Sequence, residues 1–483
     1  MYLGIDFGTS TNFIVSLHDN QQLYEEQFGD YGQSNVFSNV IYYTNSQYVI
    51  GPAAVRRIEG ANPLNLIRHV KSHMGDDNWQ TFIPAIGRHL KAQEIATDIF
   101  RAIRTKVEQN HGNECISAAV LSVPYAFLYH QRQSIKQAAT DAGIPVIGLI
   151  EEPVAAALRF ISLNQLILTN VAKNILIFDF GGGTLDVTVF SCYNNGNVIQ
   201  IEVLNTDGNK ALGGSHITEC LENFFASKLN VHVDQLDKSL REEFKHSLHK
   251  LAEETKITLS YEQYADIFEY FSTGDILELV LSRDELNSII TLGHSFKCDI
   301  EQVLDCVVSD IGLSFSDIDE IVLVGGSSKL SFIKDIIVNL FGREPIEYAD
   351  GGKLVGEGAA VYCSHVLANN TKYNIISRLS QSIGISKNGR FVSIINKNTK
   401  YDFTSPIEWF DATGHKLSIY QGNTSDITQC THIGDITLNY STKGTIGTQL
   451  TLSPDGKLMY CLYEKKFEQI IKIDEGEIPH GNR

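Results

Sequence analysis

The sequence lacks the features that mark several common classes of protein. Its eight cysteines form no Cys-x-x-Cys pair, which argues against a zinc site or a disulfide framework and favours reduced, buried thiols. No long Lys/Arg cluster occurs, and 57 acidic residues against 39 basic ones give a formal net charge of −18, so binding to the phosphate backbone of nucleic acid is not expected. No apolar run reaches membrane-spanning length, and the N-terminus is typical of a strand rather than of a secretion signal. We therefore expect a cytoplasmic protein that binds neither nucleic acid nor a membrane.

The chain does contain enough apolar sequence for several cores and one strand-turn-strand pattern that occurs twice. It has 483 residues, 43% of them hydrophobic, which predicts two or three domains. Residues 2–17 and 175–190 each contain an apolar strand, the tripeptide Asp-Phe-Gly, a tight turn and a second apolar strand. A pattern that recurs once at a long interval indicates a duplicated lobe rather than a short-period repeat protein.

Helical and strand patterns alternate between and after these two segments. Apolar residues recur at helical spacing over 94–107 and 244–255, whereas 116–123 and 320–324 are largely apolar runs typical of buried strands. This alternation predicts a mixed α/β architecture that continues to about Val366.

The character of the sequence changes after Val366. Short β-rich runs, separated by Asn-Gly, Gly-Asn and Asp-Gly turn signals, predict a separate all-β module. These runs are 391–395, 416–420, 449–452 and 470–473. The predicted domain bounds are 1–367 for the α/β part, 368–380 for a linker and 381–483 for the β module.

Two glycine-rich turns have the composition of phosphate-binding loops. Asp6 precedes the small residues of 8–10, and Asp179 precedes the glycines of 181–183, with Asp186 closing the second turn. Turns without bulky side chains let backbone N–H groups approach phosphate oxygens, and the carboxylates can hold the hydrated Mg²⁺ that accompanies ATP. One such turn is as readily a structural hairpin, but two that face each other across a cleft would clamp a phosphate chain.

A third glycine turn and one helix edge are candidates for nucleoside binding. The turn 325–327 follows a buried strand, where open α/β sheets bind ligands, and its small residues suit a flat base or a ribose. In the second predicted helix, Glu253, Lys256 and Ser260 fall at i, i+3 and i+7. A solvated helix face is the commoner explanation of such a pattern, so both interpretations stay open.

In order and spacing, these motifs resemble those of the 70-kDa heat-shock chaperones, and the resemblance covers nearly the whole chain. The segments that carry it are 4–10, 62–63 with Lys71, 123–124 with 131–133, 152–153, 179–186, 252–260 and 356–360. Few of these motifs are specific for the family when taken alone, but their occurrence together in this order is specific.

The resemblance implies an α/β protein with an actin-like two-lobed ATPase fold, built from duplicated ribonuclease-H-like lobes and followed by a small β-sandwich domain. It implies ATP or ADP with Mg²⁺, the latter held through water by Asp6, Asp179 and Asp186. The implied catalytic residues are Lys71, Glu152, Asp179 and Thr184. The implied nucleotide-binding residues are Gly8, Thr9, Ser10, Gly181, Gly182, Gly183, Thr184, Gly213, Gly214, Glu253, Lys256, Ser260, Gly325, Gly326, Ser327 and Lys329.

The resemblance also implies a coupled substrate site. Pro124 and Arg132 match the family's interdomain switch, and Phe391 and Leu417 match its peptide pocket. The implied partner is an unfolded or extended peptide, or a specific client protein, bound by a monomer. Because no segment resembles the family's helical lid, we expect a bound peptide to leave quickly.

Several positions depart from the family's pattern. Lys329 stands where an arginine usually stacks on adenine, and Gly352 replaces a usual aspartate, so altered nucleotide affinity or exchange is expected. Where the family docks its J-protein partner, Gly148, Glu151 and Val154 replace arginine, asparagine and threonine. An acidic residue there would repel the partner's acidic motif, which points to a non-standard co-chaperone or exchange factor.

The sequence therefore predicts a chaperone-like slow ATPase that couples ATP binding and hydrolysis to binding of a protein or peptide by its β domain. An actin-like ATPase or a nucleotide-binding scaffold without chaperone activity is the alternative. A small-molecule kinase fits less well, because it would need an Asp general base at the substrate hydroxyl and would not need the long β-rich tail that follows Val366.

Overall fold

The structure is a computed structural model, and it describes most of the chain. The described residues are 1–483 without 19–21, 29–34, 58–61, 164–167, 210, 230–235, 294–295, 349–350, 368–371, 413–414, 439–443, 454–455, 467–468 and 479–483. Within them, no helix combines the length and the apolar character needed to cross a membrane.

The first lobe holds a mixed sheet, two small antiparallel sheets and four helices. Its elements are β1 (Tyr2–Phe7), β2 (Thr11–Leu17), β3 (Leu23–Glu25), β4 (Phe37–Ser38), β5 (Val40–Tyr43), β6 (Tyr48–Ile50), α1 (Pro52–Arg56), β7 (Leu66–Arg68), β8 (Gln80–Ile83), β9 (Arg88–Lys91), α2 (Ala92–Asn110), β10 (Ala118–Val123), α3 (Tyr129–Asp141), β11 (Val146–Glu151) and α4 (Glu152–Ser162).

The second lobe repeats the mixed sheet and adds a hairpin. Its elements are β12 (Lys173–Phe180), β13 (Leu185–Asn195), β14 (Val198–Asn209), α5 (Gly214–Lys228), α6 (Lys238–Tyr261), β15 (Tyr264–Tyr270), β16 (Ile276–Ser282), α7 (Arg283–Gly293), α8 (Phe296–Ser309), β17 (Glu320–Val324), α9 (Ser331–Phe341), β18 (Ile346–Glu347) and α10 (Leu354–Leu367).

The two mixed sheets share one strand order, which confirms the duplication predicted from the repeated pattern. The first sheet runs β11-β10-β1-β2-β3 and the second runs β18-β17-β12-β13-β14. In each, the central strand pairs in parallel with one neighbour and antiparallel with the hairpin strand that follows it. The protein therefore has the two-lobed actin-like fold.

Helices α4 and α10 join the two lobes. Helix α10 follows the second sheet in the chain, yet its Ala360 shares a buried cluster with Phe13 of β2. The two helices touch where Gly358 faces Ala155, since a Cβ on Gly358 would lie 1.9 Å from the Ala155 carbonyl oxygen. Only glycine permits this approach, because the position of a Cβ is fixed by the backbone and side-chain rotation cannot move it.

The C-terminal part is a β domain of two sheets over one core. Its strands are β20 (Ile383–Lys387), β21 (Arg390–Ile395), β22 (Phe403–Thr404), β23 (Glu408–Ala412), β24 (Lys416–Gln421), β25 (Thr431–Thr437), β26 (Gly444–Leu452), β27 (Leu458–Lys466) and β28 (Gln469–Glu477). The sheets run β21-β20-β24-β25 and β22-β26-β27-β28, with β23 beside β26. Ile419 of one and Leu450 of the other lie in the same buried cluster, as expected for a small β-sandwich.

The predicted linker, 368–380, contains a strand of the second sheet. Its first residues, 368–371, lie outside the described residues. The next ones form β19 (Tyr373–Ile376), which pairs in parallel with β14 as the sixth strand of the second sheet. The connection to the β domain therefore begins as part of the second lobe.

Candidate functional site

A cavity of about 240 Å³ lies between the two lobes, where the turns after their central strands meet. Within the described part of the chain, its charged lining consists of Asp6, Lys71, Glu152, Asp179 and Asp186. The remaining lining residues include Gly8, Thr9, Ser10, Pro124, Gly181, Gly182, Gly183, Thr184, Gly325, Gly326 and Gly352. The structure thus gathers most of the residues predicted for phosphate and metal binding.

The first turn is held by a residue that the sequence did not indicate. Asn39, 1% exposed, donates from its side-chain amide to the carbonyl of Gly8 at 2.5 Å, and its backbone N–H donates to the carbonyl of Ser10 at 2.7 Å. Both ends of the turn are therefore fixed from one buried position. Asn39 precedes β5 and has no sequence relation to the glycine turn, so only the folded chain shows this contact.

The second turn packs directly against the first. A Cβ on Gly182 would lie 2.2 Å from the Ser10 hydroxyl oxygen, and one on Gly183 would lie 3.1 Å from Thr9. Gly213 closes the other side, since a Cβ there would lie 2.4 Å from the carbonyl carbon of Gly183. Glycines are required here because the second turn meets the side chains of Ser10 and Thr9 across the cleft and the backbone at Gly213 within its own lobe.

Lys71 and Glu152 form an ion pair in the cavity. The Lys71 ammonium, 3% exposed, donates to Glu152 Oε1 at 2.5 Å. Lys71 lies in a short helical turn after β7, and Glu152 is the first residue of α4. The pair brings together two of the residues that the resemblance implies are catalytic.

The carboxylates of the cavity carry an excess of negative charge. Burial, followed by the charge of Glu152, raises the pKa of Asp6 to about 7, although Lys71 and a hydrogen bond from Ser122 oppose the shift. Burial and the neighbouring carboxylates also raise the pKa of Asp179. Four carboxylates face one ammonium, so a divalent cation fits this site as the charge that is otherwise lacking.

The way in which these carboxylates would reach a metal ion is constrained. Among the described residues, no three His, Cys, Asp or Glu side chains are arranged to ligate one ion directly. Asp186 also accepts a hydrogen bond from Thr184 at 2.9 Å. The donor set therefore suits a hydrated Mg²⁺ held through its waters.

The predicted edge of α6 is a hydrogen-bonded network rather than a solvated face. Lys256, 7% exposed, donates to Glu253 at 2.7 Å, to Thr218 at 2.9 Å and to the Gly214 carbonyl at 3.1 Å. Burial favours a higher pKa for Glu253, but Lys256 and the Thr218 hydrogen bond outweigh it and lower the pKa. This network ties α6 to the N-terminus of α5 beside the second turn.

A second cavity, of about 340 Å³, adjoins the first. It is lined by Ser260, Tyr261, Leu323, Ser328, Lys329, Glu347 and Tyr348. Ser260 and Lys329 were predicted from the sequence, whereas Tyr261 and Tyr348 were not. Ser327 is buried within the turn that separates the two cavities.

Arg132 connects the first cavity to the surface of the β domain. It donates to the carbonyls of Phe127 at 3.0 Å and Tyr125 at 3.1 Å, on the loop that begins at Pro124, and to Glu151 at 2.8 Å. Glu151 and Glu152 are adjacent, and Glu152 pairs with Lys71 in the cavity. The junction of β11 and α4 therefore contacts both the cavity and the β domain.

The β domain is bound to both lobes by polar contacts. Glu151 accepts hydrogen bonds from Tyr401 at 3.2 Å and Ser377 at 3.3 Å. Arg378 bonds to Glu202 and to the Val203 carbonyl of the second lobe, each at 2.6 Å. Glu151, one of the positions that depart from the family's J-protein surface, is thus occupied by this interface.

The two residues predicted for peptide binding lie in different surroundings. Phe391 lines a shallow cavity of the β domain together with Ser382, Lys397 and Asn423. Leu417 is buried in the domain core. The structure does not bring the two into one cavity.

A histidine cluster bridges the lobes next to α6. Arg68 of the first lobe lies 3.2 Å from His246 Nδ1 of the second, and the rings of His69 and His249 are 6.4 Å apart. Burial, together with the charges of Arg68 and His249, lowers the pKa values of His69 and His246 to about 4. These contacts join the two lobes on the α6 side of the cleft.

Comparison with known proteins agrees with this geometry. The family model described as Hsp70 protein matches residues 2–449. A relative described as chaperone protein HscA homolog, from Pseudoalteromonas atlantica, is 26% identical over 467 residues, which cover 90% of this chain and 71% of the relative. With the duplicated lobes, the paired glycine turns and the β domain, the match shows that this chain belongs to the Hsp70 family.

Proposed function

We propose that this chain is a slow, Mg²⁺-dependent ATPase whose cycle is coupled to binding of an extended peptide or a client protein by its β domain. The observation that carries the proposal is the cavity between the lobes, where two glycine turns face the Lys71–Glu152 pair. Backbone N–H groups of such turns bind phosphate oxygens, and a lysine beside them stabilises the charge that develops in phosphoryl transfer.

Each charged residue has a separate role in this proposal. Asp6, Asp179 and Asp186 would hold the waters of Mg²⁺, which when bound neutralises charge on the β- and γ-phosphates. Glu152 would orient the attacking water, and its pair with Lys71 fixes both side chains before substrate binds. Thr9 and Thr184 would donate to phosphate oxygens from opposite turns.

The proposed coupling runs through adjacent residues at the end of β11. Glu152 contacts the cavity, and Glu151 contacts Arg132 and the β domain. A shift of this strand end when the cleft closes would therefore alter both contacts together. This arrangement supports Pro124 and Arg132 as the interdomain switch, with Glu151 as its acceptor.

Removal of one hydroxyl from this interface should uncouple the domains. Tyr401→Phe deletes only the bond to Glu151, and loss of a bond to a buried carboxylate costs about 1–3 kcal/mol. We expect basal single-turnover hydrolysis within about twofold of wild type and loss of most of the rate change that peptide causes. Tyr463→Phe is the matched control, because the Tyr463 hydroxyl bonds to Gln449 inside the β domain. Equal peptide effects in all three proteins would refute the coupling route.

Single-turnover hydrolysis, with and without a short apolar peptide, tests the proposed function. Slow hydrolysis that requires Mg²⁺ and changes rate with peptide supports the coupled ATPase. Binding of ATP without hydrolysis would leave a nucleotide-binding scaffold. Hydrolysis whose rate does not change when peptide is added would leave an actin-like ATPase without chaperone activity.

The wider proposal places the protein in the cytoplasm as a monomer, with a co-chaperone or exchange factor other than the family's usual ones. The use of Glu151 in the interdomain contact supports this last point, because the same residue cannot also receive a J-protein. The domain bounds 1–367, 368–380 and 381–483 remain those predicted, with the linker partly in the second sheet.

Nucleotide release should accelerate on acidification. In the closed cleft the pKa values of His69 and His246 are about 4, and in an open cleft exposed histidines return to about 6.5. The open state therefore binds more protons between these values, and the closed state is destabilised as pH falls through this window. Release of a fluorescent ATP analogue should be faster near pH 5.5 than near pH 7.5, by up to about tenfold for each of the two histidines.

The matched variant for this prediction is His246→Gln, which keeps a hydrogen-bonding side chain beside Arg68 but does not titrate. The pH dependence of nucleotide release from this variant measures the effect of all titrating groups other than His246. Those around the cluster include Glu222, Glu253, His73 and Lys250. Identical pH profiles for wild type and His246→Gln would exclude a contribution from His246.

A further inference from the structure

The turn after β17 separates two cavities and lines both. Val324, Gly325 and Gly326 line the cavity that contains the carboxylates, and Ser328 and Lys329 line the second one. Gly325 has φ +83°, and a Cβ on Gly326 would meet no atom within 4 Å. A ligand with its phosphates in the first cavity can therefore pass over Gly326 and place its other end in the second.

The second cavity has an aromatic wall. Tyr261, the last residue of α6, is 62% exposed although its ring is large and mostly apolar. Lys329 Nζ donates to the Tyr261 hydroxyl at 2.8 Å and lies 5.3 Å from the ring centroid. The ring is thus held at the rim of the cavity, with Leu323 and Tyr348 completing its less polar lining.

The polar groups of this cavity already have partners within the protein. The Ser260 hydroxyl donates to the Lys256 carbonyl at 3.0 Å, and the Ser328 hydroxyl donates to the Gly325 carbonyl at 2.7 Å. Glu347 pairs with Lys334 at 3.4 Å. The two hydroxyls could donate to a ligand only if these contacts broke, whereas the face of the Tyr261 ring can accept a flat ligand without such a cost.

We propose that Tyr261 is the residue on which the nucleobase stacks, and that Lys329 positions its ring. Every nucleobase has a π-face, and stacking on an aromatic side chain tolerates differences in base identity. Lys329 offers no planar group of its own, so its contribution is the bond that fixes the tyrosine. The inference rests on the proposed function, since it assumes that a nucleotide occupies the first cavity.

One consequence concerns the choice of nucleotide. A site that holds its base by stacking, with its serine hydroxyl protons engaged elsewhere, discriminates weakly between purines. We expect ATP and GTP to bind with affinities within about tenfold of each other. A preference of more than about a hundredfold for ATP would show that hydrogen bonds read the base and would overturn the stacking account.

The test compares ATP with inorganic triphosphate, which has no base, in equilibrium binding with Mg²⁺. Tyr261→Ala should weaken ATP binding by about 5- to 150-fold and leave triphosphate binding unchanged. Tyr261→Phe keeps the ring and should stay within about threefold of wild type. Tyr264→Ala is the matched control, since Tyr264 is also 62% exposed but lines neither cavity.

The outcomes separate the inference from the proposed function. If wild type binds ATP and Tyr261→Ala binds it equally well, the stacking role is excluded while the proposed function stands. If Tyr261→Ala weakens ATP and triphosphate by the same factor, Tyr261 acts only on the shape of the site, which also excludes stacking. If wild type binds neither ligand, the proposed function itself fails.

Discussion

Lys71→Ala should bind ATP but hydrolyse it about 10²- to 10³-fold more slowly than wild type. Among the residues that the structure describes, Lys71 is the only cation that lines the cavity of four carboxylates, and its ammonium contacts Glu152. Without Lys71, no ammonium stabilises the negative charge that develops on the phosphate oxygens. Glu152 also loses the ion-pair partner that orients its side chain. Binding should persist, because the glycine turns and the Mg²⁺ waters would still hold the phosphates.

Loss of Lys71 should also change the pH dependence of the remaining activity. The pKa of Asp6 stands at about 7 because burial and Glu152 raise it more than Lys71 lowers it. Without the ammonium, that pKa rises further, and Asp6 should be protonated over a larger part of the neutral range. The residual rate of the variant should therefore increase with pH more steeply than the wild-type rate does.

Single-turnover hydrolysis and a separate binding measurement check this prediction. Lys106→Ala is the control, because Lys106 is exposed on α2 and lies outside the cavity. A Lys71→Ala protein that turns over at the wild-type rate would remove Lys71 from the mechanism. A variant that loses ATP binding instead would make Lys71 a binding residue rather than a catalytic one.

Gly358→Ala should destabilise the protein by about 3 kcal/mol or more, which is the largest stability effect we expect from a single methyl group. A Cβ there would lie 1.9 Å from the Ala155 carbonyl oxygen and 2.5 Å from its carbonyl carbon. These are backbone atoms, so no side-chain rotation relieves the clash. Helices α4 and α10 would have to separate, and both belong to the buried core between the lobes.

Urea unfolding of the variant, followed by circular dichroism, measures this loss. Gly352→Ala is the matched control, since a Cβ there meets nothing within 4 Å and the residue precedes the same helix. We expect the control to differ from wild type by less than about 0.5 kcal/mol. Equal stabilities for the Gly358 and Gly352 variants would show that the helices can separate without cost and would contradict the proposed packing.

Local patterns predicted the regular elements well. The helix predicted over 94–107 lies within Ala92–Asn110, and the strand predicted over 320–324 is β17. Each β-rich run of the tail falls on a strand of the β domain. These predictions succeeded because the period of apolar residues follows directly from the geometry of a helix or a strand that has one buried face.

The candidate site was predictable only in part. Both glycine turns were found from sequence, because closely spaced glycines between apolar strands are locally unusual. Asn39, Tyr261 and the acceptor role of Glu151 were not found, since each acts on residues that are remote in the chain. A linker was predicted at 368–380, and the pairing of β19 with the second sheet was not. Pairing with a distant strand leaves no periodic signal that separates it from a short apolar linker.

What the sequence determined by itself was the set of elements, the duplication and the chemistry of the two turns, because each depends on neighbouring residues. The tertiary structure alone decided which remote residues contact each other in the site. It placed Lys71 against Glu152, Asn39 against the first turn and Lys329 against Tyr261. These contacts arise when packing of apolar faces brings remote segments together, so their geometry is set by the whole core rather than by any local stretch of chain.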